Sequence, residues 1–209
     1  MVTSAQPPVS RETQQRLELF AALVLKWTAT VALVSRGDRN HLWARHIEDS
    51  LRLRQFMPAG AARGVDLGSG AGFPGLVLAL ATGIPFDLIE ADQRKAAFLV
   101  EAQRVTGAPV QVCCMRIEDY SRRDAPLLTA RALAPLPVLL AYAERLMHPG
   151  GTALFLKGIK ARGEIEAARP HWRMTVEQAG DPGSSILIVT DLVRRPTSPP
   201  VGMRPRCEP

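Results

Sequence analysis

The run Val65-Asp66-Leu67-Gly68-Ser69-Gly70-Ala71-Gly72-Phe73-Pro74-Gly75 joins an apolar strand, a carboxylate and a glycine turn to the start of a helix. Glycines at alternate positions admit positive φ and let the main chain approach a ligand closely, and Pro74 suits the first turn of the helix that follows. This is the form of a nucleotide-type site. Gly70-x-Gly72-x-x-Gly75 also matches a dinucleotide fingerprint, with the acid Glu90 about twenty residues on. Asp66 separates the two ligands, because a carboxylate at the strand end repels a pyrophosphate lying over the helix N-terminus. S-adenosylmethionine carries a sulfonium and an ammonium and no phosphate, so the same carboxylate helps to hold it, directly or through water. The sequence therefore predicts a methyl-donor site, with a nicotinamide dinucleotide as the competing ligand.

Further chemistry is expected where other strands end. Glu90 is placed to accept hydrogen bonds from both ribose hydroxyls. Glu118 or Asp119 can accept from the adenine amino group while Ile117 packs on the ring, or these acids simply form a turn. Arg131 stands between the apolar strand 127–130 and the helix begun by Pro135, near the meeting place of donor and acceptor; a structural salt bridge is its other reading. His46 and Asp49, three apart on a helix, can hydrogen-bond and brace the amino-terminal helices against the donor pocket. Arg45, with Arg36, Arg39, Arg52 and Arg54, is available for the phosphates of a polyanionic partner.

These residues need a scaffold. Ser10 is a plausible cap for an amphipathic helix over 11–30 with Leu17, Ala21, Val24 and Val31 at helical spacing, and a second helix is expected over 40–57. From residue 63 the pattern alternates: strand 63–67, helix 74–82, strand 86–90, helix 92–106, strands 109–114 and 127–130, helix 135–147, strand 151–157. A short helix over 163–169 leads to Trp172–Gln178 and Ser185–Val193, joined by Asp181-Pro182-Gly183 as a hairpin closing one sheet edge. The alternation predicts an α/β fold with a mostly parallel seven-stranded sheet and helices on both faces. The expected division is an amino-terminal helical extension at 1–60, a catalytic domain at 61–195 and a proline- and arginine-rich disordered tail at 196–209.

With 209 residues, 46% of them apolar, the chain is sized for one catalytic unit. No apolar stretch approaches the roughly 20 residues that span a bilayer and no leader is evident, so a cytoplasmic, membrane-free protein is expected. Adjacent Cys113 and Cys114 and the distant Cys207 make neither a disulfide framework nor a metal ligand set. The net charge of +6, nearly all arginine, suits a polyanionic partner.

Three blocks resemble a known family, the bacterial glucose-inhibited division protein B family. They are Arg45-His46-Ile47-Glu48-Asp49-Ser50-Leu51, the Asp66–Gly75 run with its Phe73-Pro74-Gly75 ending, and Ala130-Arg131-Ala132-Leu133-Ala134 followed by Gly150-Gly151 and Leu156-Lys157-Gly158. The resemblance spans about 30–192. It implies a Rossmann-like class I S-adenosylmethionine-dependent methyltransferase acting on N7 of guanine 527 in 16S ribosomal RNA. It also implies a donor site built from Gly68, Phe73, Ile117, Glu118 and Arg131, which agrees with the Asp66, Gly70 and Glu90 site above. The chain departs from the family pattern at Ala32-Leu33-Val34, Leu133 and Glu90. Guanine N7 has an in-plane lone pair and no proton, so its methylation needs no general base. The competing functions are a small-molecule methyltransferase and a nicotinamide-dependent oxidoreductase; a monomer without metal is expected.

Overall fold

A computed structural model describes residues 8–181 and 184–196. At its centre is a seven-stranded sheet in the order β3-β2-β1-β4-β5-β7-β6. The strands are β1 (Gly64–Leu67), β2 (Phe86–Ile89), β3 (Val110–Cys113), β4 (Ala125–Arg131), β5 (Met147–Lys157), β6 (Trp172–Asp181) and β7 (Ser184–Arg194). The first five run parallel, while β7 is antiparallel to both β5 and β6. The expected hairpin is thus present, with its second strand inserted between β5 and the edge strand β6. Strand order reverses at β1, which pairs with β2 on one side and β4 on the other, and this opens a crevice at the carboxyl ends of the strands.

Helices cover both faces. On one side, α3 (Gly75–Thr82) and α4 (Gln93–Thr106) bury Leu76, Val77, Phe98 and Leu99. On the other, α5 (Leu136–Leu146) and α6 (Ala161–Ala168) bury Leu139, Leu140 and Ile165. The first helix, α1 (Arg11–Trp27), is capped by the Ser10 hydroxyl, which accepts from the Thr13 amide at 3.1 Å. Its buried residues are Leu17, Phe20 and Val24, and they belong to the same core as α3 and α4. The helix ends three residues earlier than its apolar spacing predicts. The Thr28 hydroxyl donates to the Val24 carbonyl at 2.7 Å, and Val31 reaches the core from the segment beyond.

The second expected helix is not one regular helix. Ser35 caps a 3₁₀ segment, Arg36–His41, which is followed by a π-helical stretch, Trp43–Glu48, one α turn, α2 (Asp49–Leu51), and a second 3₁₀ segment, Arg52–Phe56. From Trp43 onward the apolar spacing of Trp43, Ile47 and Leu51 runs on through the change of winding, which is why residues 40–57 read as one helix. The widened π turn rotates the residues after it relative to those before, with the His46 ring on Phe73 and the Arg45 carbonyl on Arg131 at the end of β4.

Candidate active site

The glycine turn is held by its surroundings. Gly68, Gly70 and Gly72 all have positive φ. At Gly75 the requirement is close approach: a Cβ there would lie 2.5 Å from the Asp66 Cβ and 2.7 Å from Leu88 Cδ2. Only glycine lets α3 start this near to β1. Glu90, buried at the end of β2, accepts from the Gly70 amide through Oε2 and from the Asp92 amide through Oε1, each at 2.8 Å. The Gly70 N–H that would face a pyrophosphate in a dinucleotide site is therefore already paired with a carboxylate. Each Glu90 oxygen retains a lone pair for a ribose hydroxyl.

Beyond the carboxyl ends of β1 to β4 lies a cleft of about 370 Å³, lined by Gly68, Gly70, Glu90, Ile117, Glu118 and Arg131 among others. The structure brings these six expected residues together from four strand ends. Sequence reasoning missed Lys95, Met115 and Tyr142, which share the lining. Tyr142 lies beside the buried stripe of α5 (Leu136, Leu139, Leu140, Ala143, Leu146), and its hydroxyl donates to Glu118 Oε1 at 2.5 Å. That hydrogen bond holds the Glu118 carboxyl below its usual range and the Tyr142 phenol above it. Arg145 anchors the same turn, donating to the carbonyls of Ile117, Glu118 and Tyr120.

Two residues assigned to the donor lie elsewhere. Asp66 is fully buried beneath the N-terminus of α3 and does not line the cleft. It stands one residue before the end of β1, so strand alternation turns it toward α3. Its Oδ1 accepts from the Thr129 hydroxyl of β4 at 2.6 Å, while Oδ2 has no hydrogen-bond partner. Burial pushes its pKa up to about 6, against the lowering effects of Thr129, Ser69 and the Gly75 amide. Phe73 is likewise buried and outside the cleft. Its ring lies 5.3 Å from that of Phe20 and 5.0 Å from that of His46, so it joins α1, the glycine turn and the π-helical stretch.

His46 does not pair with Asp49. The π turn carries its ring onto Phe73, and the nearest carboxylate is Asp38, 3.8 Å from Nε2. Burial and then the positive charge of Arg131 lower the His46 pKa to about 4, so the ring stays neutral near pH 7. Asp49 instead accepts from the Ser184 hydroxyl at 3.1 Å and faces Arg52 at 3.4 Å. Arg45 pairs with Asp38 at 2.7 Å, and Arg39 donates to the Thr28 carbonyl at 3.2 Å, so part of the arginine set is engaged within the fold.

Arg131 ends β4 and forms a wall between this cleft and a second cleft. Its Nη2 donates to the Arg45 carbonyl at 2.7 Å, while Nη1 is buried without a partner. Burial lowers its pKa. The next residue, Ala132, has φ of +49°, a left-handed conformation that a non-glycine residue adopts rarely and that turns the chain along the rim of both clefts. Cys113 is buried at the end of β3, whereas the adjacent Cys114 is exposed. Cys207 and the expected tail from residue 197 lie outside the described residues. No His, Cys, Asp or Glu cluster able to hold a metal occurs among the described residues, nor does any helix long and apolar enough to cross a membrane.

The sheet order, the glycine turn over β1 and the acid closing β2 define a class I S-adenosylmethionine-dependent methyltransferase. Solved structures share this fold. An O-methyltransferase from Bacillus cereus in complex with S-adenosylhomocysteine superposes with a TM-score of 0.56 at 16% identity, covering 91% of this chain and 95% of that one. TYW2 from M. jannaschii in complex with AdoMet gives 0.59 at 16% identity, covering 80% of each chain. Residues 13–181 match the model of the GidB family, rRNA small subunit methyltransferase G, and the chain belongs to that family. Ribosomal RNA small subunit methyltransferase G of Gluconobacter oxydans is 51% identical over 189 residues, covering 89% of this chain and 97% of the relative. The Acidiphilium cryptum protein of that name is 51% identical over 204 residues, covering 89% and 94%. The methyl donor is S-adenosylmethionine, and the substrate class of the family is ribosomal RNA.

Proposed function

We propose that this chain transfers a methyl group from S-adenosylmethionine to N7 of a guanine in 16S ribosomal RNA, guanine 527 by likeness to its family. The observation that carries this reading is Arg131, a half-buried cation on the wall between a donor cleft and a second cleft of about 440 Å³. Bound S-adenosylmethionine supplies an electrophilic methyl on a sulfonium. The N7 lone pair forms the new N–C bond as the C–S bond breaks, and that bond's electron pair stays on sulfur. No proton moves, which fits a site whose nearest histidine is kept neutral and packed against Phe73. The chain's contribution is alignment and exclusion of water.

In this reading Gly68 and Gly70 face the donor with bare backbone, Glu90 receives the ribose, and Ile117 and Glu118 receive the adenine. Arg131 faces the reacting end. Asp66 and Phe73 act from beneath, fixing the start of α3 and the turn. The helical extension, described from residue 8 to residue 60, presents Arg45 and its neighbours to RNA, and 61–195 form the catalytic domain. The protein works as a cytoplasmic monomer on free RNA or on the small-subunit particle.

The test is methyl transfer to ribosomal RNA from cells lacking the gene, with the product mapped. One N7-methylated guanine in 16S RNA is expected. Failure on free RNA and on subunits alike would move the reading to a small-molecule substrate. Thermal stabilisation by NAD but not by S-adenosylmethionine would move it to an oxidoreductase.

A further inference from the structure

The second cleft is lined by Asp49, Arg131, Lys157, Glu164 and Ser184, among others, and shares Arg131 and Ala132 with the donor cleft. Resting on the ribosomal-guanine reading, we propose that this cleft receives the target base turned out of the RNA and that Asp49 reads its N1–H and N2-amino edge.

The two carboxylates in the cleft are not equivalent. Glu164 Oε2 takes the Lys157 ammonium and the Leu136 amide, each at 2.6 Å, and Lys157 donates also to the Ala134 carbonyl at 2.9 Å. These bonds tie the start of α5 to α6 and β5 and satisfy the groups that make them. They form a wall. Asp49 uses only Oδ1, for Ser184 and the longer Arg52 contact, and Oδ2 takes no hydrogen bond among the described residues. A carboxylate offers about four acceptor positions, so the Asp49 edge has two in hand. Its side chain is 20% exposed, so the group is partly desolvated yet reachable from the cleft.

Arg131 supplies the complementary feature. Its Nη1 is buried and unpartnered, while the Arg45 carbonyl fixes Nη2. The acceptor edge of Asp49 and the guanidinium of Arg131 thus line the same cleft. Guanine presents two adjacent donors, N1–H and N2–H, followed by the O6 acceptor. Adenine presents an acceptor at N1, which would face the carboxylate lone pairs and be rejected. With the Watson–Crick edge on Asp49 and O6 toward Arg131, N7 stays free on the far edge, at the side Arg131 shares with the donor cleft. Methylation makes the purine cationic and N1–H a stronger donor, so the attraction of Asp49 grows along the reaction. Asp49 therefore both selects the base and favours the transition state.

The experiment crosses two enzymes with two RNAs: native protein and Asp49→Asn, each with guanosine or inosine at the methylated position. Inosine lacks only the N2 amino group. Native enzyme is expected to favour guanosine by about tenfold in kcat/KM, and Asp49→Asn to be slower on guanosine by roughly ten- to a hundredfold with the preference gone. The thermal shift given by S-adenosylmethionine should be the same in both proteins. Asp49→Asn that keeps the full guanosine preference overturns the assignment, as does native enzyme that methylates both RNAs equally. Should Asp49→Asn fail to fold, the inosine comparison on native enzyme decides alone. Native enzyme that binds the donor but modifies neither RNA at N7 sinks the ribosomal-guanine reading, and Asp49 falls with it. Transfer to guanosine without discrimination sinks Asp49 only.

Discussion

The two clefts on either side of Arg131 are built in different ways. The donor cleft is made by main chain and by residues at successive strand ends: the glycine turn after β1, Glu90 closing β2, Ile117 and Glu118 after β3. The second cleft is made by side chains from remote parts of the chain, and one of its hydrogen bonds, Ser184 to Asp49, joins residues 135 apart. A cofactor common to many reactions is held by backbone geometry inherited with the fold. On the proposed reading, a substrate particular to one reaction is met by side chains that the fold merely brings together. Arg131 is the one expected site residue that belongs to both.

That double membership sets the largest predicted effect. Arg131→Ala removes a buried cation from the wall and frees the Arg45 carbonyl of the π-helical stretch. We expect kcat/KM for RNA methylation to fall about a thousandfold, on the scale of losing a preorganised electrostatic group, with weaker donor binding by calorimetry. Retained activity would show that the wall is structural and that the clefts act independently.

Next in size is Gly75→Ala, which attacks the donor side through backbone alone. The added Cβ would sit 2.5 Å from the Cβ of Asp66, in the middle of the sheet where neither neighbour can retreat. A loss of about 3 kcal/mol in urea unfolding is expected, in the upper range for overpacking. A loss below about 1 kcal/mol would mean that α3 is free to shift, and that the donor turn is less rigid than its contacts imply.

The same contrast explains what the sequence disclosed. Glycine, proline and apolar alternation act within a few residues, so Gly68, Gly70, Glu90 and the order of strands and helices could be read directly. Asp66 stands at the expected strand end but faces α3 and not the cleft. Its strand position says that it is inward, and the contact with Gly75 that draws it beneath α3 is tertiary. The π-helical turn was hidden because apolar spacing survives a local change of winding, and with it went the partner of His46. Tyr142 and the Asp49–Ser184 contact are products of folding, and no short-range pattern carries them. Arg131 was legible by position, while its tie to the Arg45 carbonyl was not.

The supports beneath the two clefts also titrate in opposite senses. Asp66, under the donor turn, is raised from 3.8 to about 6, so the folded state binds its proton more tightly than the unfolded chain does. Its contribution is full below about pH 3.8 and is lost as pH rises through 6, a change on the order of 3 kcal/mol. His46, beside Arg131, is lowered from 6.5 to about 4, and its contribution is full above pH 6.5 and lost as pH falls through 4. In native protein the two oppose each other. Asp66→Asn should leave stability that rises with pH between 4 and 6.5, and His46→Gln should leave stability that falls. Chemical denaturation across that range measures both slopes. Parallel slopes in the two variants would show that one of these groups is not buried as described.

The smallest expected effect tests whether the donor cleft can be altered without touching the chemistry. Tyr142→Phe removes one hydroxyl, the donor to Glu118 Oε1, from the exposed end of the cleft that is proposed to take the adenine. Without it the Glu118 carboxyl rises toward its ordinary pKa but stays ionised near neutrality, because the Tyr142 hydrogen bond is the first cause of its lowering. The consequence is a less fixed acceptor, not a lost one. An interaction made equally in the ground and transition states changes KM and leaves kcat alone. The donor KM should therefore rise about two- to fourfold, the scale of one solvent-competed hydrogen bond, with kcat and the RNA KM unchanged. A fall in kcat of tenfold or more would mean that the adenine end is coupled through the Ile117–Glu118 turn to the position of the methyl group. The division of labour at Arg131 would then be wrong, and the donor cleft would have to be treated as part of the catalytic alignment rather than as its anchor.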